Sequence, residues 1–549
     1  MSSKGSAKKN GGMAKGRSNR EKLTLSIRKE KREGGLAKRR MEAWGEKNEE
    51  TTPAASSSAD GSKKTFSVSD FPGMVEGLRS DDLAAQVMNL KGFRRLLSAE
   101  NNPPVQECID CGAIPLFINF LQRVDSTDLQ FEAAWALTNI ASTNMTSVIV
   151  DMGAVPHLVA LLDSASPDVR EQAAWALGNV AGDGTKYRDE VLSYNAMELL
   201  LKNISQPASL SLLKNATWTL SNFCRGKPQP SMEVLRPALP ALSYLISSQV
   251  EDKDTKVDAA WAISYVSDGS NERIQAVVDH GVVPSLIEMV KSGDTSMTMP
   301  ALRSLGNIVS GSDVQTQAVL DAGLLDACKI LLKSNRKSIR KEACWTLSNV
   351  AAGTANQLDQ VMEREDIISM VLTQMGSESE WDVRKEAVWV VSNTATVAKS
   401  HHLLTLLRLG VLSPICESMA DVRDSKVLMC CLEALEGFLK LSLDRADIDV
   451  LTTLDECGGI EALENLQEHE NDEVYQKAVE LIETYCNDEE DGGENIVPEV
   501  GTNNQFSFGL ENGNNSASAD AFATTSGNSK LDFGTSFTQN TGSQFNFSM

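Results

Sequence analysis

The stretch Trp175-Ala-Leu-Gly-Asn-Val-Ala-Gly-Asp-Gly184 contains a Trp-x-x-x-Asn pair that recurs along the chain. Intact copies are Trp135/Asn139, Trp175/Asn179, Trp218/Asn222, Trp345/Asn349 and Trp389/Asn393. Between the third and fourth lie two altered copies, Trp261/Tyr265 and Arg303/Asn307. Successive copies start 40, 43, 43, 42, 42 and 44 residues apart. Such a period is typical of stacked helical repeats.

A second recurring element fixes the kind of repeat. It pairs Gly with a nearby Pro in Gly112-Ala-Ile-Pro115, Gly153-Ala-Val-Pro156, Gly281-Val-Val-Pro284 and, relaxed, Gly410-Val-Leu-Ser-Pro414. Gly ends one helix, and Pro is expected at the first position of the next. Each unit then has a short helix followed by two longer ones, which is the armadillo arrangement. The sequence predicts an all-α, right-handed superhelical armadillo solenoid of about ten repeats over residues 65–487.

The two ends of the chain differ from this body in composition. Residues 1–64 hold 17 Lys/Arg and 8 Asp/Glu, a net charge of +9, whereas the whole chain carries −23, which leaves −32 for the rest. A basic arm tethered to an acidic body can bind that body or be displaced from it. Residues 1–64 are predicted to be a disordered basic arm and linker, and residues 488–549 an acidic, then Asn/Ser/Gly-rich, disordered tail.

Several function classes are disfavoured by the remaining features. The ten cysteines are scattered in apolar helical runs, and Cys108-x-x-Cys111 has no second pair, so we expect reduced core thiols and no metal. No secretory signal and no run of eighteen apolar residues is present, so no membrane association is expected. No phosphate-binding Gly-rich loop or catalytic triad pattern is found, so no enzyme and no cofactor are predicted.

The recurring pair predicts what one face of the solenoid binds. Residues four apart share a helix face, so stacked repeats place indoles beside carboxamides. A carboxamide both donates to and accepts from a peptide backbone, and slots between indoles suit the aliphatic stem and cationic head of Lys or Arg. Asp183, Asp258 and Glu386 add negative charge near the row. The alternative, that the Trp and Asn side chains are only core, is disfavoured because the motif offers buried amides no local partner.

The segments around the recurring pair resemble those of a known family. WALTNIA (135–141), WALGNVAGDG (175–184), WTLSNFCRG (218–226), WAISYVSDG (261–269), LRSLGNIVSGSD (302–313) and CWTLSNVAAG (344–353) are similar to importin α, the adaptor that carries nuclear localisation signals. The altered copies agree as well, with Tyr265 replacing Asn and Arg303 replacing Trp. The resemblance covers roughly residues 20–487.

The resemblance implies two signal-binding sites. The major site is expected to use Trp135, Asn139, Thr146, Trp175, Asn179, Asp183, Trp218 and Asn222. The minor site is expected to use Arg303, Asn307, Trp345, Asn349, Glu386, Trp389 and Asn393. Asp258, Trp261 and Tyr265 lie in the groove between them, where Tyr265 and Arg303 interrupt the series. A signal with two basic clusters is expected to bridge the sites.

The resemblance also implies partners. Ile27–Arg40 resembles the importin-β-binding region, with Arg28, Lys29, Lys31, Arg32, Lys38, Arg39 and Arg40 as its basic residues. Lys38-Arg39-Arg40 is interpreted as an internal signal mimic that occupies the major site until importin β takes the arm. The family further implies an export receptor of the importin β type at the C-terminal repeats, and shuttling between cytoplasm and nucleus. The tail dipeptides Phe508-Gly509 and Phe533-Gly534 leave nucleoporin contact open beside a low-complexity origin.

The sequence departs from the family pattern at two places, and two alternative functions are disfavoured. Asn19-Arg20-Glu21-Lys22 replaces the upstream arginine cluster, and Thr143 stands where Gly is usual in a shortened segment. A nucleic-acid-binding arm is disfavoured because the acidic body repels phosphate. A different armadillo scaffold, resembling β-catenin, would take acidic ligands, against which the Asp, Glu and Asn residues argue.

Overall fold

A computed structural model describes residues 66–99, 102–445 and 447–486, together with the backbone of 499–500 and 506–507. The predictions for the basic arm and most of the tail lie outside these residues. The chain divides into two units, Met1–Asn487 and Asp488–Met549. In the second unit, the strands Glu499–Val500 and Phe506–Ser507 pair antiparallel, with Val500 opposite Phe506.

The described part of the first unit is helical. Its α-helices, numbered α1 to α29 in chain order, are Phe71–Arg79, Leu83–Leu97, Val105–Asp110, Ile114–Phe120, Thr127–Ala141, Thr146–Asp151, Ala154–Leu161, Pro167–Gly182, Thr185–Ser193, Ala196–Ser205, Leu210–Cys224, Met232–Leu235, Leu239–Leu245, Lys253–Ser267, Asn271–Asp279, Val282–Lys291, Thr295–Ile308, Asp313–Asp321, Leu324–Leu331, Lys337–Ala351, Ala355–Met362, Glu365–Met375, Trp381–Val397, Ser400–Arg408, Leu412–Asp421, Ser425–Asp444, Val450–Glu456, Gly459–Leu466 and Asp472–Leu481. Val68–Asp70 and Arg236–Ala238 form 3-10 turns, and Ile482–Cys486 forms a π-helical turn.

These helices group into repeats as the sequence predicts. The first repeat consists of α1 and α2, and each of the nine that follow has a first, a second and a third helix. The last helix of each repeat is called its third helix, including α2 in the first repeat. From α2 to α29, each third helix packs against the third helix of the neighbouring repeat. This continuous row carries the Trp-x-x-x-Asn copies, and the prediction of an all-α armadillo solenoid of about ten repeats is confirmed.

A polar side chain caps the start of most third helices. Ser209 Oγ accepts the backbone N–H of Leu212 at 3.0 Å, and the Asp252 carboxylate accepts that of Thr255 at 2.8 Å. Such capping satisfies donors that the first helical turn leaves without a partner. One polar residue thus marks the start of α11 and of α14, whereas α20 and α23 begin without a side-chain cap.

The predicted glycines lie between the first and second helices. Gly153 and Gly281 have φ values of 83° and 70°, in the left-handed region that favours glycine. The prediction that Pro occupies the first helical position is wrong by two residues in α7 and α16, since these helices begin at Ala154 and Val282. Pro156 and Pro284 still fall in the first turn, where a missing N–H breaks no helical bond.

The core runs through all ten repeats without interruption. Ala174, Leu177 and Val180 are fully buried in α8, and every other third helix also contributes buried apolar side chains to the same core. All ten cysteines are free, and burial raises the pKa of the Cys224 thiol to about 12, so it is a neutral core side chain. Within the described ranges no single helix is long and apolar enough to cross a membrane. The consecutive helices α24 and α25, whose axes bend by 78°, would together be long and apolar enough by length and composition alone.

Candidate functional site

The predicted ladder lies on the row of third helices, but its indoles are buried to different degrees. Trp135, Trp218 and Trp345 retain only 6%, 1% and 6% of their surface exposed, whereas Trp175, Trp261 and Trp389 are half-buried. The rings are therefore not a uniform series of open faces. The half-buried indoles in α8, α14 and α23 present the larger surfaces.

Two glycines account for the deep burial of two of these rings. A Cβ on Gly178 would lie 2.4 Å from Cζ3 of Trp218, and a Cβ on Gly306 would lie 2.1 Å from the same atom of Trp345. Each glycine precedes the ladder Asn of one repeat and receives the indole of the next. The equivalent residues before Asn139, Asn222 and Asn349 are Thr138, Ser221 and Ser348, and the indoles that follow them are the half-buried ones.

Gly178→Ala is expected to destabilise the protein by about 1–3 kcal/mol, because the added methyl overpacks the contact with Trp218. It should also shift the indole N–H resonance of Trp218 and leave that of Trp389 in place. Denaturation in urea and two-dimensional NMR measure the two effects. Gly73→Ala is the control, since nothing lies within 4 Å of its Cβ position. Equal stability of the Gly178 variant and the wild type contradicts the packing argument.

Five ladder carboxamides connect their repeats to the repeat before. Asn179 Nδ2 donates to the Thr138 carbonyl at 3.2 Å, and Asn222 Nδ2 donates to the Gly178 carbonyl at 3.0 Å. The same bond joins Asn307 to Ser264 O at 2.9 Å, and Asn393 to Ser348 O at 2.7 Å. Asn139 instead donates to the Ser98 hydroxyl at 2.9 Å.

The motif indeed supplies these amides no partner within their own helix, but this does not argue against burial as expected, because each of these bonds crosses to another repeat. The partner is supplied by the neighbouring repeat, about forty residues away, and not by the same helix. Asn139, Asn179, Asn222, Asn307 and Asn349 are buried and Asn393 is half-buried. A carboxamide nitrogen has two N–H groups and its oxygen two lone pairs, so a bond to the preceding repeat does not exhaust its capacity.

The predicted carboxylates occupy different environments. Asp183 caps the C-terminus of α8 and is exposed, whereas Glu386 is half-buried in α23. Asp258 is buried at 4% exposure, three residues before Trp261. Thr146 is also fully buried, and its hydroxyl donates to Ala141 O at 3.1 Å. Asp183 and Glu386 are thus the more open anions, while Thr146 shapes the turn after α5.

The two altered copies lie on the row as predicted. Trp261 stacks on Tyr265 with ring centroids 6.1 Å apart and an interplanar angle of 24°. Arg303 places its guanidinium carbon 5.6 Å from the centre of the Trp345 ring, and its Nη2 lies 2.7 Å from Glu342 Oε1. The cation of Arg303 is thus held against the next indole of the series by a buried carboxylate.

One residue of the row was missed in the sequence. Arg94 in α2 places its guanidinium carbon 4.0 Å from the centre of the Trp135 ring, and its Nε donates to Glu132 Oε2 at 2.9 Å. Arg94 and Ser98 stand 41 residues before Trp135 and Asn139. The period would have identified this copy, but neither of its residues belongs to the Trp/Asn pair by which the repeats were recognised.

Asp359, His401 and His402 have possible ligand atoms within 4.8 Å of one another, a spacing that could hold a metal ion. His402 Nδ1 accepts the Lys399 backbone N–H at 3.2 Å, so in the neutral ring Nε2 carries the proton. That nitrogen lies 2.7 Å from Asp359 Oδ1, which Lys399 Nζ also contacts. Burial lowers the pKa of His402 and favours this neutral form. These contacts describe a helix cap, and the protonated Nε2 is not a ligand atom.

Comparison with protein families places known segments on this fold. Residues 101–142, 142–182, 184–225, 270–310 and 312–352 match the armadillo/beta-catenin-like repeat, and residues 449–499 match the atypical Arm repeat. Residues 5–91 match the importin beta binding domain. The crystal structure of an engineered protein superposes with a TM-score of 0.69 at 25% identity, over 76% of this chain and 99% of that one.

Curated relatives extend the likeness over most of the chain. Importin subunit alpha-3 of Arabidopsis thaliana is 46% identical over 515 residues, which cover 90% of this chain and 94% of the relative. Importin subunit alpha-1a of Oryza sativa subsp. japonica is 45% identical over 484 residues, covering 87% and 90%. With this identity, and with armadillo repeats preceded by an importin-β-binding segment, the protein belongs to the importin α family.

Proposed function

We propose that this protein is a nuclear import adaptor that binds Lys/Arg-rich localisation signals on its row of third helices and joins them to importin β through its N-terminal arm. The observation that carries the proposal is the row itself, in which half-buried Trp175 lies in α8 and exposed Asp183 caps the end of the same helix. An indole face beside a carboxylate suits the stem and the head of a lysine. The row of Trp and Asn positions from α5 to α11 suits an extended peptide.

The major site comprises Trp135, Asn139, Thr146, Trp175, Asn179, Asp183, Trp218 and Asn222. Asp183 pairs with the principal lysine of the signal, because it is an exposed carboxylate at the end of the helix that bears Trp175. The carboxamides are assigned to the peptide backbone, because a carboxamide can both donate and accept a hydrogen bond. Thr146 acts through the turn that it shapes, since its side chain is fully buried.

The minor site comprises Trp345, Asn349, Glu386, Trp389 and Asn393, with Arg303 and Asn307 at its edge. Half-buried Trp389 and Glu386 repeat in α23 the pairing of an indole with a carboxylate. Tyr265 and Arg303 interrupt the series between the sites. A peptide with two basic clusters therefore binds both sites at once and gains affinity through its linker.

The arm gives the adaptor its second partner and its regulation. Arg28, Lys29, Lys31, Arg32, Lys38, Arg39 and Arg40 fall inside the importin-beta-binding match at residues 5–91. In the free protein Lys38-Arg39-Arg40 occupies the major site, and importin β frees that site by taking the arm. The protein then shuttles between cytoplasm and nucleus, with the C-terminal repeats returning it through an export receptor of the importin β type.

Removal of residues 1–64 is expected to lower the Kd for a one-cluster basic peptide about tenfold, because it removes a competitor held at high local concentration. Calorimetric titration of the full chain and of the shortened chain measures the difference. Replacing Lys38, Arg39 and Arg40 by Ala in the full chain is the matched variant and should have the same effect. Unchanged or weaker binding after deletion contradicts autoinhibition.

The same titration tests the adaptor proposal itself. A basic peptide should bind the shortened chain, a two-cluster peptide should bind more tightly, and higher salt should weaken both because ion pairs are screened. An acidic peptide of equal length is the control. Preference for the acidic peptide would place the protein among armadillo scaffolds of another kind.

A further inference from the structure

Arg94 and Trp135 form a stacked pair at the start of the major-site ladder. The guanidinium carbon lies 4.0 Å from the ring centre, and the Arg94 side chain is 11% exposed. A cation at this distance over an indole face is attracted by the ring quadrupole. The face of Trp135 that would receive a peptide cation from the side of the first repeat is therefore already covered by the chain's own arginine.

A carboxylate from the next repeat fixes this arginine. Glu132, three residues before Trp135, accepts from Arg94 Nε at 2.9 Å, and its side chain is only 5% exposed. The pair thus combines an indole, a buried anion and a cation. Without the arginine, the anion and the indole face would form a receptor for one Lys or Arg side chain.

The same arrangement occurs at the start of the second ladder. Arg303 lies over Trp345 and contacts Glu342, which again stands three residues before the tryptophan. Arg94 and Arg303 both occupy the tryptophan position of their own repeats. Each series of indoles therefore begins with an arginine stacked on its first ring.

We propose that Arg94 is a specificity-determining residue that ends the major site by occupying, from within the chain, the place of one more peptide cation. The inference rests on the proposed function. Arg94 limits the number of basic side chains that the ladder accepts and so sets the length of the preferred basic cluster. The ligand excluded by Arg94 is a Lys or Arg side chain flanking that cluster.

The test compares two peptides on the same full-length protein. One carries a single basic cluster, and the other extends it by two residues at each end, with a Lys at each terminus. Any competition by the arm affects both peptides equally, so the ratio of their Kd values reports the extra slot. The Kd of the short peptide divided by the Kd of the long peptide should be below about 2 for the wild type. Arg94→Ala should raise this ratio about fivefold, which means a stronger preference for the longer peptide.

Companion variants separate this role from a loss of folding. Arg94→Gln keeps a donor near Glu132 and should give the same gain, whereas Arg94→Lys restores a cation and should return the ratio towards the wild type. Adding Glu132→Gln to Arg94→Ala should remove most of the gain. Arg340→Ala, which breaks an inter-repeat pair with Glu380, is the control and should leave the ratio unchanged.

The outcomes distinguish this inference from the proposed function. If both Arg94→Ala and Arg94→Gln fold and bind the short peptide but keep the wild-type ratio, Arg94 does not limit the site. If neither the full chain nor the chain lacking residues 1–64 binds a basic peptide, the adaptor proposal itself is wrong.

Discussion

Asp183→Lys is expected to raise the Kd of a one-cluster basic peptide about 100-fold. The substitution removes the exposed carboxylate at the end of α8 and places a cation where the principal lysine of the peptide is proposed to bind. Loss of attraction and new repulsion act together on the same lysine of the peptide. Titration of the chain lacking residues 1–64 measures the change without the arm.

Two further variants show whether the effect belongs to the site. Glu198→Lys makes the same change of charge on α10, the second helix of the next repeat, and should leave the Kd nearly unchanged. Glu386→Arg should weaken a two-cluster peptide while it spares a one-cluster peptide. If Asp183→Lys and Glu198→Lys weaken binding equally, the effect is one of net charge and the proposed major site is wrong.

Arg303→Ala is expected to destabilise the repeats around α17 and α20 by about 3 kcal/mol. The variant leaves Glu342, whose side chain is 1% exposed, without the guanidinium that lies 2.7 Å from its Oε1. Breaking a buried ion pair by removing one partner is costly because the desolvated charge remains. Urea denaturation measures the loss, and hydrogen exchange should show it in α17 and α20, since repeats open locally.

A double-mutant cycle isolates the pair. Glu342→Gln in the Arg303→Ala background should recover most of the stability, because it removes the buried charge. Arg340→Ala also breaks an inter-repeat Arg–Glu pair, but Glu380 is 47% exposed and little change is expected. Equal losses from Arg303→Ala and Arg340→Ala would contradict a special role for the buried carboxylate.

The row of binding residues was predicted from the sequence because it depends on a single period. Trp135, Trp175 and Trp218 are spaced by one repeat length, so each lies on the third helix of its own repeat. Stacking of the repeats brings these helices together. Arg94 was missed by the same reasoning, because its repeat has an arginine and a serine where the pattern requires Trp and Asn. A search by position instead of by residue type would have found it.

The depth of each indole depends on the neighbouring repeat. Trp218 and Trp345 are buried against Gly178 and Gly306, while Trp175 lies next to a repeat with Thr138 at the equivalent position. The ladder amides behave in the same way, since Asn179 finds its partner in the Thr138 carbonyl. Such contacts join residues about forty positions apart and have no signature within one helix.

The amino-acid sequence alone determined the repeat length, the all-helical class and the positions of the indoles and amides, because these follow from periodicity along one chain. The tertiary structure alone decided which indoles remain open, what the amides already bind and where each ladder begins. Those features arise from packing between repeats, where the presence or absence of one small side chain, or one guanidinium group, decides how far the indole of the next repeat is covered.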